Sequence, residues 1–200
     1  MILPAILEQD RESFEISLNK VKDDFNYIHV DILDSSLVPE KSLPLKDIKI
    51  EEGIQYEFHL MVEKPSLYIQ ELEKLNPFRV IIHQESKEIL NEYPLFIEKF
   101  NTFLGIDLDT NINKDLSKYF EGCLLMSVKM GKSGRLFDER VLKKIKEASS
   151  YFDLIEVDGG INKNNVVLCK SFGASIFAIH SGIYEGDLKK NIETLKTLVE

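Results

Sequence analysis

Eight short apolar runs, at residues 2–6, 27–33, 55–61, 79–83, 102–108, 122–128, 153–157 and 175–179, limit the architecture of this chain more than any other feature. Runs this short, with few polar interruptions, have the pattern of strands buried on both faces. Between them lie stretches with helical spacing and charged faces: ESFEISLNKVKDDF, PSLYIQELEKL, SKEILNEYPLFIEKF, FDERVLKKIKEASSYF, NKNNVVLCKSF and DLKKNIETLKTLVE. The connection after the second run is irregular and contains proline, which leaves its helix the least well defined. Strand and helix alternating through eight units, with no low-complexity linker, predict an α/β fold whose parallel sheet closes as a (β/α)8 TIM barrel. An open, doubly wound sheet is the alternative. At 200 residues, 44% of them hydrophobic, the chain is expected to form a single soluble domain over residues 1–200.

Charge narrows the partners. The net charge of -9 is spread along the chain, which argues against nucleic acid or an anionic membrane as the main partner. An anionic substrate then needs a local positive pocket. The opening MILPAILEQD has no basic leader and no cleavage-type small residues, so no signal peptide is expected, and nothing approaches a membrane span. Cys123 and Cys169 are too few for a disulfide framework and read as buried free thiols of a cytoplasmic protein. The expected partners are one small-molecule substrate and further copies of the same chain in a homo-oligomer.

All four histidines, His29, His59, His83 and His180, fall at or just past the carboxyl end of a predicted strand. Barrels and open α/β sheets both build their active sites on that face. Taken singly, each histidine reads as a hydrogen-bonded core residue; as a group they favour a site. In YIHVDILD, His29 and Asp31 are two apart, so both point to one side of the strand while Ile28, Val30 and Ile32 point to the other. In YEFHLMV, His59 sits among apolar neighbours, and in LIEVDGG, Asp158 ends a strand before two glycines. Two imidazoles and two carboxylates converging from three strands suit one divalent metal ion of the zinc, iron, manganese or cobalt kind. The competing role for Asp31 and Asp158 is turn or capping duty. Glu57 and Glu156 share strand faces with His59 and Asp158, either to orient the ligands or as carboxylates paired lower in the barrel.

Glycines and basic residues mark a second feature. DGGI at 158–161 and GKSGR at 131–135 follow predicted strands and precede helices, where free backbone amides favour an anion. Lys129, Lys132 and Arg135 add positive charge, unless they merely decorate an exposed loop. A nucleotide-binding P-loop is rejected, because that motif needs glycine where this chain has Met126.

Together these segments resemble a known family. IHVDILDSSLVP, FHLMVEKPSLYI, LLMSVKMGKSGRLFDERVLKKI and LIEVDGGINKNN, in this order, are similar to the signature segments of ribulose-phosphate 3-epimerases, and from about Gly122 to Tyr184 the likeness runs without a gap. The resemblance implies a TIM barrel with His29, Asp31, His59 and Asp158 as metal ligands. It implies that Asp31 and Asp158 are the acid and base on opposite faces of the substrate, that Met61 and Met126 line the cavity, and that His83 and Glu85 support the ligands. The substrate phosphate would lie near Gly131, Gly134, Gly159, Gly160, His180 and Ser181. The implied reaction is the interconversion of D-ribulose 5-phosphate and D-xylulose 5-phosphate through an enediolate.

The chain departs from the family mostly on the substrate side. Ala5 stands in place of a serine, Leu33 in place of a methionine, and Ser35 and Ser36 in place of a Gly-His pair. The phosphate-side loop reads Lys129-Met130-Gly131-Lys132-Ser133-Gly134-Arg135, and His180-Ser181 replaces Gly-Ser. Two further readings therefore accompany the first: an epimerase of another ketose phosphate, such as allulose 6-phosphate, and a sugar-phosphate-binding homologue without catalysis.

Overall fold

The computed structural model describes residues 1–130 and 136–200. Its strands are β1 (Ile2–Ile6), β2 (Tyr27–Leu33), β3 (Gln55–Met61), β4 (Arg79–His83), β5 (Thr102–Ile106), β6 (Gly122–Met126), β7 (Leu154–Asp158) and β8 (Ile176–Ile179). Each pairs in parallel with the next, and β8 returns to β1, so the sheet is a closed (β/α)8 barrel and not an open sheet. The helices are α1 (Arg11–Val21), α2 (Ile69–Leu75), α3 (Ile89–Ile97), α4 (Lys114–Ser117), α5 (Arg140–Ala148), α6 (Val166–Phe172), α7 (Ser181–Tyr184) and α8 (Leu188–Val199). Between β2 and β3 the described backbone forms one 3-10 turn, Leu45–Asp47, where the proline-containing connection predicted the least regular helix. Two expected strands, 102–108 and 122–128, end two residues earlier than their apolar runs, because the last residues turn away into the loops that frame the barrel mouth.

Alternation along the strands produces two cores. Ile28, Val30 and Ile32 face outward and pack with helix residues spaced three or four apart, such as Phe14, Leu18 and Val21 of α1. The inward set fills the barrel: Leu3, Ile81, Phe103, Leu124 and Ile176, with Leu33, Met61 and Met126 above them. Three polar residues of β2, β3 and β4 interrupt this lining in one row, since His29 pairs with Glu57 and Glu57 with Arg79. The next level up pairs Asp31 with His59.

The turn leaving β2 carries backbone strain. Ser35 has φ 71°, in the left-handed region that a side chain penalises, at the position where the resembled family has glycine. Ser36 anchors the same turn, its hydroxyl donating to Asp34 and accepting from the Glu63 amide at 2.8 Å. Ser35→Gly is expected to raise stability by about 1 kcal/mol, read as a higher urea midpoint. An unchanged or lower midpoint would mean that the serine side chain already offsets the strain.

Candidate metal centre and active site

Four ligand atoms, one each from His29, Asp31, His59 and Asp158, lie within 4.8 Å of one another. β2 delivers His29 and Asp31 to the interior because they are two residues apart; β3 brings His59 level with Asp31, and β7 ends on Asp158. His29 Nε2 is 3.1 Å from Asp31 Oδ1, and His59 Nδ1 is 2.8 Å from the same oxygen. The two imidazole nitrogens are 3.3 Å apart, and Asp158 Oδ2 is 3.9 Å from His59 Nδ1.

Carboxylates behind the ring nitrogens decide which of them carry protons. His29 Nδ1 lies 2.6 Å from Glu57 Oε1, which can only accept, so Nδ1 donates and Nε2 faces the centre. On the other side, His83 Nδ1 donates to Glu85 Oε2 at 2.9 Å. His83 Nε2 lies 2.7 Å from His59 Nε2, so one proton is shared between these two nitrogens. His59 Nδ1 faces the Asp31 carboxylate, to which it donates; a metal ligated by Nδ1 would take that proton's place, and the proton between the two rings would then fall to His59 Nε2. Two imidazoles and two carboxylates thus converge, and their lone pairs repel unless a cation or protons lie among them.

The charge states follow from that crowding. Burial first, and then the neighbouring Asp31 carboxylate, push Asp158 up to about 8. Burial also acts on Asp31, but hydrogen bonds from His29 and His59 outweigh it and hold this carboxyl well below the usual range. Against its own burial, His29 is held protonated by Asp31, Glu156 and Glu57, whereas burial takes His59 down to about 4. Protons here occupy positions that one divalent cation can take, and two nitrogen with two oxygen donors suit zinc, iron, manganese or cobalt. The residues fit such an ion. A second acidic group, His29 with Glu57 and Glu156, already holds a cation, the Arg79 guanidinium, which donates to both carboxylates and leaves Glu156 Oε1 without a hydrogen-bond partner among the described residues.

The remaining expected site residues are placed as follows. Met61 and Met126 are buried in one apolar cluster with Leu33, Val128 and Met130 beside the ligand set. Gly159 has φ 103°, and a Cβ there would sit 2.5 Å from Val128 Cγ2, so only glycine fits; Gly160 has φ 62°. His180 donates from Nδ1 to the Ala5 carbonyl at 2.9 Å and packs on the Tyr184 ring, and Ser181 opens α7. His180 is therefore tied to the β1 seam, while His29, His59 and His83 form the hydrogen-bonded row. Lys129 is exposed, and Gly131, Lys132, Gly134 and Arg135 lie outside the described residues.

Ser127 went unnoticed in the sequence. Its amide donates to the Asp158 carbonyl at 2.7 Å, and its hydroxyl donates to the carbonyls of Asp158 and Gly159, which holds the turn carrying Asp158. The one available signal was a serine directly after the sixth strand.

Comparison with known proteins identifies the family. The model of the ribulose-phosphate 3 epimerase family matches residues 1–184. The chain is 28% identical over 211 residues to the ribulose-phosphate 3-epimerase of Helicobacter pylori, covering 98% of this chain and 97% of the relative. It is 29% identical over 214 residues to that of Bacillus subtilis, with the same coverage of 98% and 97%. Among solved structures, phosphoribosyl anthranilate isomerase from Thermus thermophilus superposes with a TM-score of 0.70 over 98% of each chain at 12% identity, a likeness of fold alone. No helix among the described residues is long and apolar enough to cross a membrane.

Proposed function

Because the chain belongs to the ribulose-phosphate 3-epimerase family, we propose that it is a metal-dependent isomerase interconverting D-ribulose 5-phosphate and D-xylulose 5-phosphate, with residues 1–200 acting as one domain. The observation that carries the reading is the convergence of one ligand atom each from His29, Asp31, His59 and Asp158 within 4.8 Å.

Removing a proton from the carbon beside a ketone is slow unless the resulting charge moves onto oxygen. A divalent ion held by His29, Asp31, His59 and Asp158 supplies Lewis-acid stabilisation of that charge. Asp31 and Asp158 each turn one oxygen toward the ligand set, which leaves the second oxygen of each for a proton. Asp31 takes the proton from the third carbon on one face, and Asp158 returns one on the other; the roles exchange in the reverse direction. Inversion follows from that two-sided arrangement. Leu33, Met61 and Met126 keep water from the reacting carbon, which strengthens the electrostatics. The sugar's phosphate rests near Gly159, Gly160, His180 and Ser181 together with Gly131 and Gly134, setting the register of the chain over the two aspartates.

Incubating the metal-loaded protein with ribulose 5-phosphate in deuterated water tests this. Xylulose 5-phosphate labelled at the third carbon is expected. Neither product nor label, with metal shown to be bound, would overturn the assignment, and a panel including allulose 6-phosphate would then identify any other ketose phosphate.

A further inference from the structure

Beneath the ligand set, one side chain ties the barrel floor together. Arg79 opens β4 in the row that runs His29, Glu57, Arg79 across three adjacent strands. It is 4% exposed, and His29, Glu57 and Glu156 are fully buried. Its Nε donates to Glu57 Oε2, and its Nη2 donates to Glu156 Oε2 at 2.9 Å, so one guanidinium joins β3 to β7. The Phe103 ring supports the guanidinium from 4.2 Å. Glu57 spends its other oxygen on His29 Nδ1 at 2.6 Å and is thereby held at both ends.

Stability alone is a poor reason for this arrangement. Desolvating buried charges offsets much of their attraction, and apolar side chains of similar volume often do as well. A planar fork that pins two carboxylates, one of them bonded to a ligand histidine, has a different consequence: it fixes where Glu57 sits and so which way the His29 ring faces. We propose that Arg79 is a positioning residue of the metal centre, acting through Glu57 to keep His29 Nε2 turned toward Asp31 and His59.

The proposal rests on the metal-binding reading above, and titration of the full-length protein with Co(II) separates the two. Affinity is measured by competition with a chelator, and geometry by the visible absorption bands of the bound ion. Arg79→Lys keeps the positive charge but offers a single ammonium in place of the fork. It is expected to bind Co(II) about ten-fold more weakly with altered bands, as is Glu57→Gln. Joined to Glu57→Gln, Arg79→Lys is expected to add no further loss, because both act along one path. Parent-like affinity and bands in Arg79→Lys would overturn the role of Arg79, and additive losses in the double variant would overturn the route through Glu57. If Arg79→Lys does not fold, Glu156→Gln frees the far arm of the clamp without leaving an unpaired charge; altered bands there support the clamp, and unchanged bands overturn it. Failure of the parent protein to bind Co(II) would overturn the metal reading together with this one.

Discussion

Asparagine in place of Asp31 is expected to lower kcat by about 10²- to 10⁴-fold while the barrel stays folded, and Asp158→Asn to do the same. The amide matches the carboxylate in shape, and its oxygen can still face His29 and His59, from which Asp31 Oδ1 now lies 3.1 and 2.8 Å. Its nitrogen cannot accept a proton, so the base is lost with little else. Metal content and thermal melting distinguish this from loss of a ligand or of the fold, and assays in excess metal restore any ion that binds more weakly. Isotope exchange adds a sharper expectation. Each variant retains one carboxylate, so each should slowly wash deuterium into one epimer without converting it to the other, and the two variants should label opposite epimers. Asp31→Asn with most of its activity intact would remove Asp31 from the mechanism.

Much of the barrel was legible because strands buried on both faces leave compact apolar runs. The same runs located the ligand residues, since the two-residue period in YIHVDILD already separates His29 and Asp31 from Ile28, Val30 and Ile32. What escaped notice depends on contacts distant in sequence. Arg79 looks like an ordinary charge at the start of a strand; its role arises only when β3 and β7 bring Glu57 and Glu156 to it. Helix α4 is a single turn, capped by Asn113 and preceded by a loop whose carbonyls at Asp107, Leu108 and Thr110 accept from Lys144 at 2.6, 2.6 and 2.7 Å, so no periodic pattern announced it. Placement at a strand end suggested that His180 would share a site with the other three histidines. Strand position could not foretell that its ring would donate to the Ala5 carbonyl.

Gly105→Ala is expected to weaken divalent-metal binding by about 10- to 100-fold, although Gly105 touches none of the four ligands. The residue pairs with His83 across β4 and β5, and a Cβ placed on it would lie 2.8 Å from His83 Cδ2 and Nε2. That is closer than the atoms can approach, so the ring has to move. It has little freedom: Glu85 holds Nδ1 at 2.9 Å, and His59 Nε2 lies 2.7 Å from its other nitrogen. Overpacking of this kind typically costs about 1–3 kcal/mol of stability. Displacing His83 also removes the partner for the proton that His59 has to carry on Nε2 once Nδ1 binds a metal. A second substitution separates the two effects. His83→Ala in the Gly105→Ala background empties the space the methyl group needs, so stability is expected to recover in part while metal affinity stays low. Recovery of both would attribute the loss to the clash alone, and Gly105→Ala binding metal as tightly as the parent would mean that His83 does not orient His59 for the metal.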